Sequence, residues 1–121
     1  MELKILRHKG TVIAELVSAR MLINETGDAL DLMAEASNMG ASKIIIRHDN
    51  INSDFFDLKT GLAGEILQKF SNYNVKLAII GDFSVYPGKS LQDFIRESNR
   101  LGRISFVSNR EEAVSSLCKQ K

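Results

Sequence analysis

The chain has 121 residues and a formal net charge of +1, from 16 Lys and Arg against 15 Asp and Glu. Binding of nucleic acid requires clustered cations that neutralise phosphates, so this balanced and interspersed charge argues against a nucleic-acid partner. Hydrophobic residues make up 44% and charged residues 26% of the chain, which excludes a disordered or fibrous class. The length predicts a single domain over residues 1–121.

The cysteine and histidine content and the length of the apolar runs indicate the cellular compartment and whether a metal or a membrane is bound. Cys118 is the only cysteine, so no internal disulfide can form and a reducing compartment is expected. His8 and His48 are the only histidines, and together with Cys118 they are too few Cys and His ligands for a structural zinc site. The N-terminus lacks the apolar core of a secretory signal, and the apolar runs are too short to span a bilayer. We therefore expect a cytoplasmic protein that binds no membrane, metal or cofactor.

The first half of the chain predicts a β-hairpin, a helix and a buried strand. Residues 3–7 and 11–17 read as two strands around a turn that contains a glycine. Apolar residues then recur at helical spacing, with Thr26 as the expected N-cap and Gly40 as the end. Residues 43–47 form an apolar run flanked by Lys and Arg, typical of a strand covered by helices on both faces.

The middle of the chain predicts a central helix and a second buried strand. The helix spans roughly residues 60–73, with an apolar stripe on one side and Glu65 and Lys69 as an i,i+4 pair on the other. Residues 75–80 read as the strand, and a loop that carries the only proline follows it.

The last part of the chain predicts two more helices around one strand. Ser90 is the expected N-cap of a helix that ends near Gly102, and residues 103–107 read as a strand. Ser108 is the expected start of a capping box for the final helix. The order ββαβαβαβα predicts an α/β fold with a mixed five-stranded sheet and four helices, in which the first strand is antiparallel.

Two segments carry a resemblance to known families. The segment DFFDLKTGLAGEILQKFSNY, followed by KLAIIGDFS, resembles a family of small bacterial proteins catalogued only as a domain of unknown function. That resemblance covers nearly the whole chain and implies no activity.

A more distant similarity is to the STAS domains, the sulfate-transporter and anti-sigma-factor-antagonist group, which have the same element order. Their hallmark Asp-Ser-Ser/Thr-Gly-Leu matches the Gly61-Leu62 pair here, but the aspartate is displaced to Asp57. Lys59 replaces the serine that is phosphorylated in antagonists, so only Thr60 could take that role. The similarity implies a STAS-like fold, and we expect a regulatory or protein-interaction module.

The open α/β arrangement predicts where a site would lie. Ligands bind outside the carboxyl ends of parallel strands, which here should face the N-terminus of the central helix. We expect a ligand or partner surface there and assign no catalytic residue. The surface comprises Asp54, Phe55, Phe56, Asp57, Lys59, Thr60, Gly61, Asp82, Ser84 and Tyr86.

Two features of this surface have alternative interpretations. Phe55 and Phe56 cannot easily both be buried in a polar loop, so one covers the helix start or stands exposed as an anchor for a partner. Gly61 and Gly64, each unfavourable by about 1 kcal/mol in a helix, predict close approach of a backbone or a ligand.

Two other functions remain open from the sequence. A helix N-terminus at Thr60 and Gly61 could bind a small anionic ligand or a nucleotide. A small enzyme using Asp82 with His48 or Asp57 would require these side chains to converge within hydrogen-bond reach. A homodimer through the opening hairpin is also open, because an edge strand is an unpaired template.

Overall fold

The computed structural model describes residues 2–119 and has the predicted order of elements. The strands are β1 (Leu3–His8), β2 (Thr11–Leu16), β3 (Lys43–Arg47), β4 (Lys76–Ile80) and β5 (Ile104–Val107). The helices are α1 (Thr26–Asn38), α2 (Leu62–Asn72), α3 (Lys89–Leu101) and α4 (Arg110–Cys118). The sheet has the order β1-β2-β3-β4-β5, with β1 antiparallel to β2 and the other neighbours parallel. The α/β prediction is confirmed.

Three helices cover one face of the sheet, and a single helix covers the other. Each parallel strand lies beside the one before it, so the connecting helices α1, α2 and α3 all contribute to one core on the same face. Helix α4 packs on the opposite face, where Ala113 and Leu117 contact Ile13, Ile45 and Ala78. Strand β3 is buried on both faces, as its run of isoleucines predicts. Among residues 2–119, no helix is long and apolar enough to cross a membrane.

The opening hairpin turns through two residues with left-handed backbone. His8 pairs with Thr11, and Lys9 and Gly10 between them have φ values of 50° and 83°. Positive φ at both central residues is the geometry of a type I′ turn, whose twist matches that of the flanking strands. Glycine adopts this conformation without strain, whereas a lysine does not.

Three predicted helix caps are wrong by one or two residues. Helix α1 already includes Thr26, and the Asp28 carboxylate accepts the backbone N–H groups of Asn24 and Glu25 at 2.9 and 3.2 Å. The Thr26 hydroxyl instead donates to Glu65 Oε1 at 2.8 Å, so Glu65 contacts α1 rather than forming the expected pair along its own helix.

The starts of α3 and α4 differ from the prediction for similar reasons. Gly88 precedes α3, with φ of 109°, so Ser90 lies within the first turn. At α4 the capping pair is Asn109 and Glu112, one residue later than expected. The Asn109 side chain accepts the Glu112 N–H at 2.8 Å, and the Glu112 carboxylate accepts the Ser108 N–H at 2.9 Å.

The strain at Lys9 generates a prediction. Lys9→Asn should raise the free energy of unfolding by about 1 kcal/mol, because Asn-Gly is the preferred pair for a type I′ turn. Chemical denaturation measures the change. Lys4→Asn is the matched control, since it removes the same charge from the extended backbone of β1 without relieving strain. Equal midpoints for Lys9→Asn and the unmodified protein would contradict this account of the turn.

Candidate functional site

The loops that follow β2, β3 and β4 meet at one end of the sheet, which we name the carboxyl edge. It comprises residues 17–22, 48–61 and 81–88. Four short 3₁₀ turns, His48–Asn50, Ser53–Phe56, Leu58–Thr60 and Phe83–Val85, build most of it. Such turns place polar backbone groups at the surface, so each turn needs its own hydrogen-bond partners.

A fully buried asparagine fastens two of these loops together. Asn50 has no exposed surface, and its Oδ1 accepts the Arg47 N–H at 2.9 Å. Its Nδ2 donates to the carbonyl oxygens of Ser18 and Arg20 at 3.0 and 2.9 Å. One side chain therefore joins the end of β3 to the loop after β2.

The backbone beside Asn50 extends this connection. The backbone carbonyl oxygen of Asn50 accepts the N–H groups of Leu22 and Ile23, both at 2.9 Å. Ile23 in turn forms a parallel bridge with Ile51 and accepts the Asn52 N–H at 2.8 Å. The sequence reading missed Asn50, because nothing in the local pattern distinguishes a buried asparagine from one in an exposed polar connection.

Three turns are closed by a side-chain oxygen that accepts a backbone N–H two residues ahead. These contacts explain why acids and amides precede the turns. They also give local structural roles to several residues of the predicted surface. The contacts are Asn52 Oδ1 with Asp54 N at 2.9 Å, Asp57 Oδ1 with Lys59 N at 3.2 Å, and Asp82 Oδ1 with Ser84 N at 3.1 Å.

An aromatic layer lies beneath the turns. Phe55 and Phe56 are both buried, with 0% and 7% of their surface exposed, so the expectation that they cannot easily both be buried is wrong, and neither stands exposed as an anchor. They lie in a 3₁₀ turn, where consecutive side chains point about 120° apart and both can face the core. Phe56 stacks on Tyr86 with ring centroids 4.5 Å apart, and Phe55 lies 6.2 Å from Phe106.

The same layer holds the loop after β4 in place. Phe83 packs edge-on against Phe106 with centroids 5.2 Å apart. Gln92 of α3 donates its Nε2 to the carbonyl oxygens of Phe83 and Tyr86 at 2.9 and 3.2 Å. The 81–88 loop is thus tied to both β5 and α3.

Thr60 belongs to a turn and not to the helix that follows. Its Oγ1 lies 2.7 Å from the Asp54 carbonyl oxygen and 2.9 Å from that of Asp57, and it accepts the Leu62 N–H at 3.3 Å. Helix α2 begins at Leu62, two residues after the predicted start.

The expected close approach at the two glycines is wrong. A Cβ built at Gly61 or Gly64 would meet nothing within 4 Å. Gly61 is instead required for its backbone, because φ is 81° at the residue that links the turn to α2. Gly64 lies on the exposed side of α2, and nothing in the structure explains it.

His48 has two close polar contacts, and neither is with Asp82. Its Nε2 lies 3.3 Å from Asp49 Oδ1, and its Nδ1 lies 3.4 Å from the Tyr86 hydroxyl. Its ring rests on Gly81, where a Cβ would lie only 2.7 Å from His48 Cδ2. A side chain at that position would displace the imidazole.

The convergence required for an enzyme based on Asp82 is not found. Asp82 Oδ1 accepts both the backbone N–H and, at 2.6 Å, the hydroxyl of Ser84. Over residues 2–119, no hydrogen bond joins Asp82 to His48 or Asp57. In the same range no three His, Cys, Asp or Glu side chains are grouped so that they could hold a metal ion.

Two groups at this edge have shifted pKa values. The hydrogen bonds from Ser84 lower the pKa of the Asp82 carboxyl, and the nearby His48 lowers it slightly further. Burial is the main cause that raises the pKa of the Tyr86 phenol, and the negative charge of Asp49 adds a smaller increase. For Tyr86 the neutral form is favoured in the folded state. Its contribution to stability is therefore present below the ordinary pKa of about 10 and is lost as the pH rises through the raised value.

The edge also leaves apolar side chains in solvent. Val85 has 65% of its surface exposed, Met21 49% and Val17 43%. The carboxylates of Asp49, in the connection after β3, and Asp82, directly before the Val85 turn, are also exposed. Apolar and acidic groups are thus exposed together on loops that are ordered by their own hydrogen bonds and by the aromatic contacts beneath them.

The fold and this edge define a small α/β protein with a mixed sheet and an exposed rim of short, internally bonded turns. The chain belongs to the family described as Domain of unknown function (DUF4180), whose model matches residues 8–117. The expected membership of such a family is confirmed. No curated protein matches the chain.

The position of Tyr86 generates a prediction about its ionisation. Tyr73→Phe leaves Tyr86 as the only tyrosine, and its pKa should then lie above the ordinary value of about 10. Asp49→Asn in the same background should lower that pKa, because it removes the neighbouring negative charge. Asp57→Asn is the matched control and should have no effect. Tyrosinate absorbance across an alkaline titration gives the values, and an Asp49→Asn curve that overlays its parent would refute the electrostatic influence of Asp49 on Tyr86.

Proposed function

We propose that this protein is a non-enzymatic interaction module with a regulatory role, and that it binds a protein partner through the carboxyl edge. The observation that carries the proposal is a prearranged edge with an apolar side chain left exposed. Val85 is 65% exposed on a turn whose base is fixed by the Phe56–Tyr86 stack and by Gln92. Surfaces that are already ordered lose little entropy on binding, which favours affinity.

The chemistry of the edge suggests the kind of segment that it would bind. Val85 and the half-buried Tyr86 offer apolar contact area. Asp49 and Asp82 are exposed beside them and carry negative charge. A partner with an apolar side chain flanked by Lys or Arg would complement both features.

The similarity to STAS domains supports a regulatory role. The residues that correspond to the STAS hallmark lie within the Leu58–Thr60 turn and at the start of α2, on the same edge as Val85. Phosphorylation of Thr60 would remove its hydroxyl contacts with the carbonyl oxygens of Asp54 and Asp57 and add negative charge there. A modification at Thr60 would therefore reshape the turn and alter partner binding.

Binding of a small anion or nucleotide at the Thr60–Gly61 helix start stays a prediction that the contacts do not favour. The Leu62 N–H already donates to Thr60. Glu65 in the first turn of α2 places a carboxylate near the positive end of the helix dipole. The negative charge of Glu65 would repel an anionic ligand at this helix start.

A substitution at the exposed valine tests the proposal. Val85→Lys should weaken partner binding about tenfold or more, because it replaces apolar contact area with a solvated cation. The folded core should be unaffected, since Val85 is largely exposed. Affinity capture from the native host with quantitative mass spectrometry identifies the partner, and titration with the purified partner gives the dissociation constants.

Leu101→Lys is the matched control for this experiment. Leu101 is 57% exposed at the end of α3, so the change has the same chemistry but lies outside the carboxyl edge. The partner should bind Leu101→Lys as tightly as the unmodified protein. Equal binding by all three proteins would count against the carboxyl edge, and turnover of a metabolite by a partner-free preparation would count against a non-enzymatic module.

A further inference from the structure

The two outermost strands of the sheet, β1 and β5, differ in whether their outward-facing backbone groups are hydrogen-bonded. On the outer side of β5, the Asn99 side chain accepts the Phe106 N–H at 2.6 Å and donates to the Phe106 carbonyl oxygen at 3.3 Å. The Ser98 hydroxyl donates to the Ile104 carbonyl oxygen at 2.5 Å. Side chains of α3 thus bond both outward groups of Phe106 and the outward carbonyl oxygen of Ile104, where a sixth strand would otherwise pair.

Strand β1 at the other edge is open. Val17 donates its N–H to the Glu2 carbonyl oxygen at 3.0 Å, which makes Glu2 and Val17 a hydrogen-bonded pair of the antiparallel ladder. Because such pairs alternate, Lys4, Leu6 and His8 also point their backbone groups at β2. The backbone groups of Leu3, Ile5 and Arg7 therefore point outward, and nothing within residues 2–119 bonds them.

We propose that β1 pairs with β1 of a second copy of this chain, antiparallel and centred on Ile5. The two five-stranded sheets then form one continuous ten-stranded sheet. In this register the outward backbone groups of Ile5 bond those of Ile5 in the second copy. Those of Leu3 bond Arg7 of the second copy at each end. All the open groups of both strands are satisfied.

Charge distinguishes this register from its neighbours. Centring on Ile5 places Glu2 opposite His8 of the second copy and Lys4 opposite Leu6, so no like charges face each other. Centring on Lys4 would oppose the two copies of Lys4, and centring on Leu6 would oppose Lys4 and His8, which carry like charge whenever the imidazole is protonated. Like charges directly opposite each other destabilise a strand pair.

Side-chain burial supports a second copy as the occupant. Leu3 and Ile5 are only partly buried and pack at the margin of the larger core, on the face covered by α1, α2 and α3. In the proposed register the Ile5 side chains of the two copies become neighbours on that face. The interface therefore removes apolar surface from water in addition to completing the hydrogen bonds.

A proline substitution tests whether β1 is the contact. The Arg7 N–H points outward, so Arg7→Pro removes a donor from the interface while β1 can keep its pairing with β2. Arg7→Thr is the matched control, because it also removes the charge but keeps the N–H. In sedimentation velocity the unmodified protein and Arg7→Thr should form a dimer, and Arg7→Pro should lose it. A monomer for the unmodified protein at every concentration, or a dimer that survives Arg7→Pro, would overturn the proposal.

A cysteine pair tests the register and does not depend on the proline variant folding. In a Cys118→Ser background, Ile5→Cys places two cysteines about 5.5 Å apart between Cα atoms, within the range for a disulfide. Lys4→Cys is the control, since its two copies would lie about 8 Å apart and could not be bridged. Mild oxidation should cross-link Ile5→Cys and not Lys4→Cys. The opposite pattern, or no cross-link in either, would overturn the register centred on Ile5.

Discussion

The carboxyl edge depends on the buried amide of Asn50. An amide removed from water must have its hydrogen bonds satisfied, or the folded state loses roughly 1–3 kcal/mol for each group left without a partner. Asn50 meets this requirement by bonding the end of β3 and two carbonyl groups of the loop after β2. The direction in which the chain leaves β3 is thereby fixed. The turns that carry Phe55, Phe56 and Thr60 start from that fixed point.

A second constraint comes from the aromatic side chains under the turns. Phe56 reaches across from the connection after β3 to stack on Tyr86 in the connection after β4. Two loops that are distant in sequence therefore form one surface. His48 lies against Gly81 with its Nδ1 3.4 Å from the Tyr86 hydroxyl, and any larger residue at position 81 would collide with the imidazole. Val85 is left exposed at this edge together with the carboxylates of Asp49 and Asp82, and this combination is the basis for proposing a protein partner there.

The sequence predicts the regular elements well and the details of the edge poorly. The order of strands and helices follows from hydrophobic periodicity, which is a local property, and strand β3 was predicted with its observed bounds. Helix caps depend on one or two backbone angles, so Thr26 and Ser90 were assigned as caps although they lie inside their helices. The burial of both Phe55 and Phe56 depends on a 3₁₀ turn that periodicity does not reveal. Asn50 has its role only because the loop after β2 comes to lie beside it.

Amide hydrogen exchange at Leu22 and Ile23 tests the central claim, that Asn50 holds the carboxyl edge in a fixed arrangement. Both amides donate to the Asn50 carbonyl oxygen in a segment that has no other strand pairing than the Ile23–Ile51 bridge. They should exchange slowly in the unmodified protein and rapidly in Asn50→Ala, while amides of β4 stay protected in both. Fast exchange at Leu22 and Ile23 in the unmodified protein, or unchanged protection in Asn50→Ala, would contradict the account.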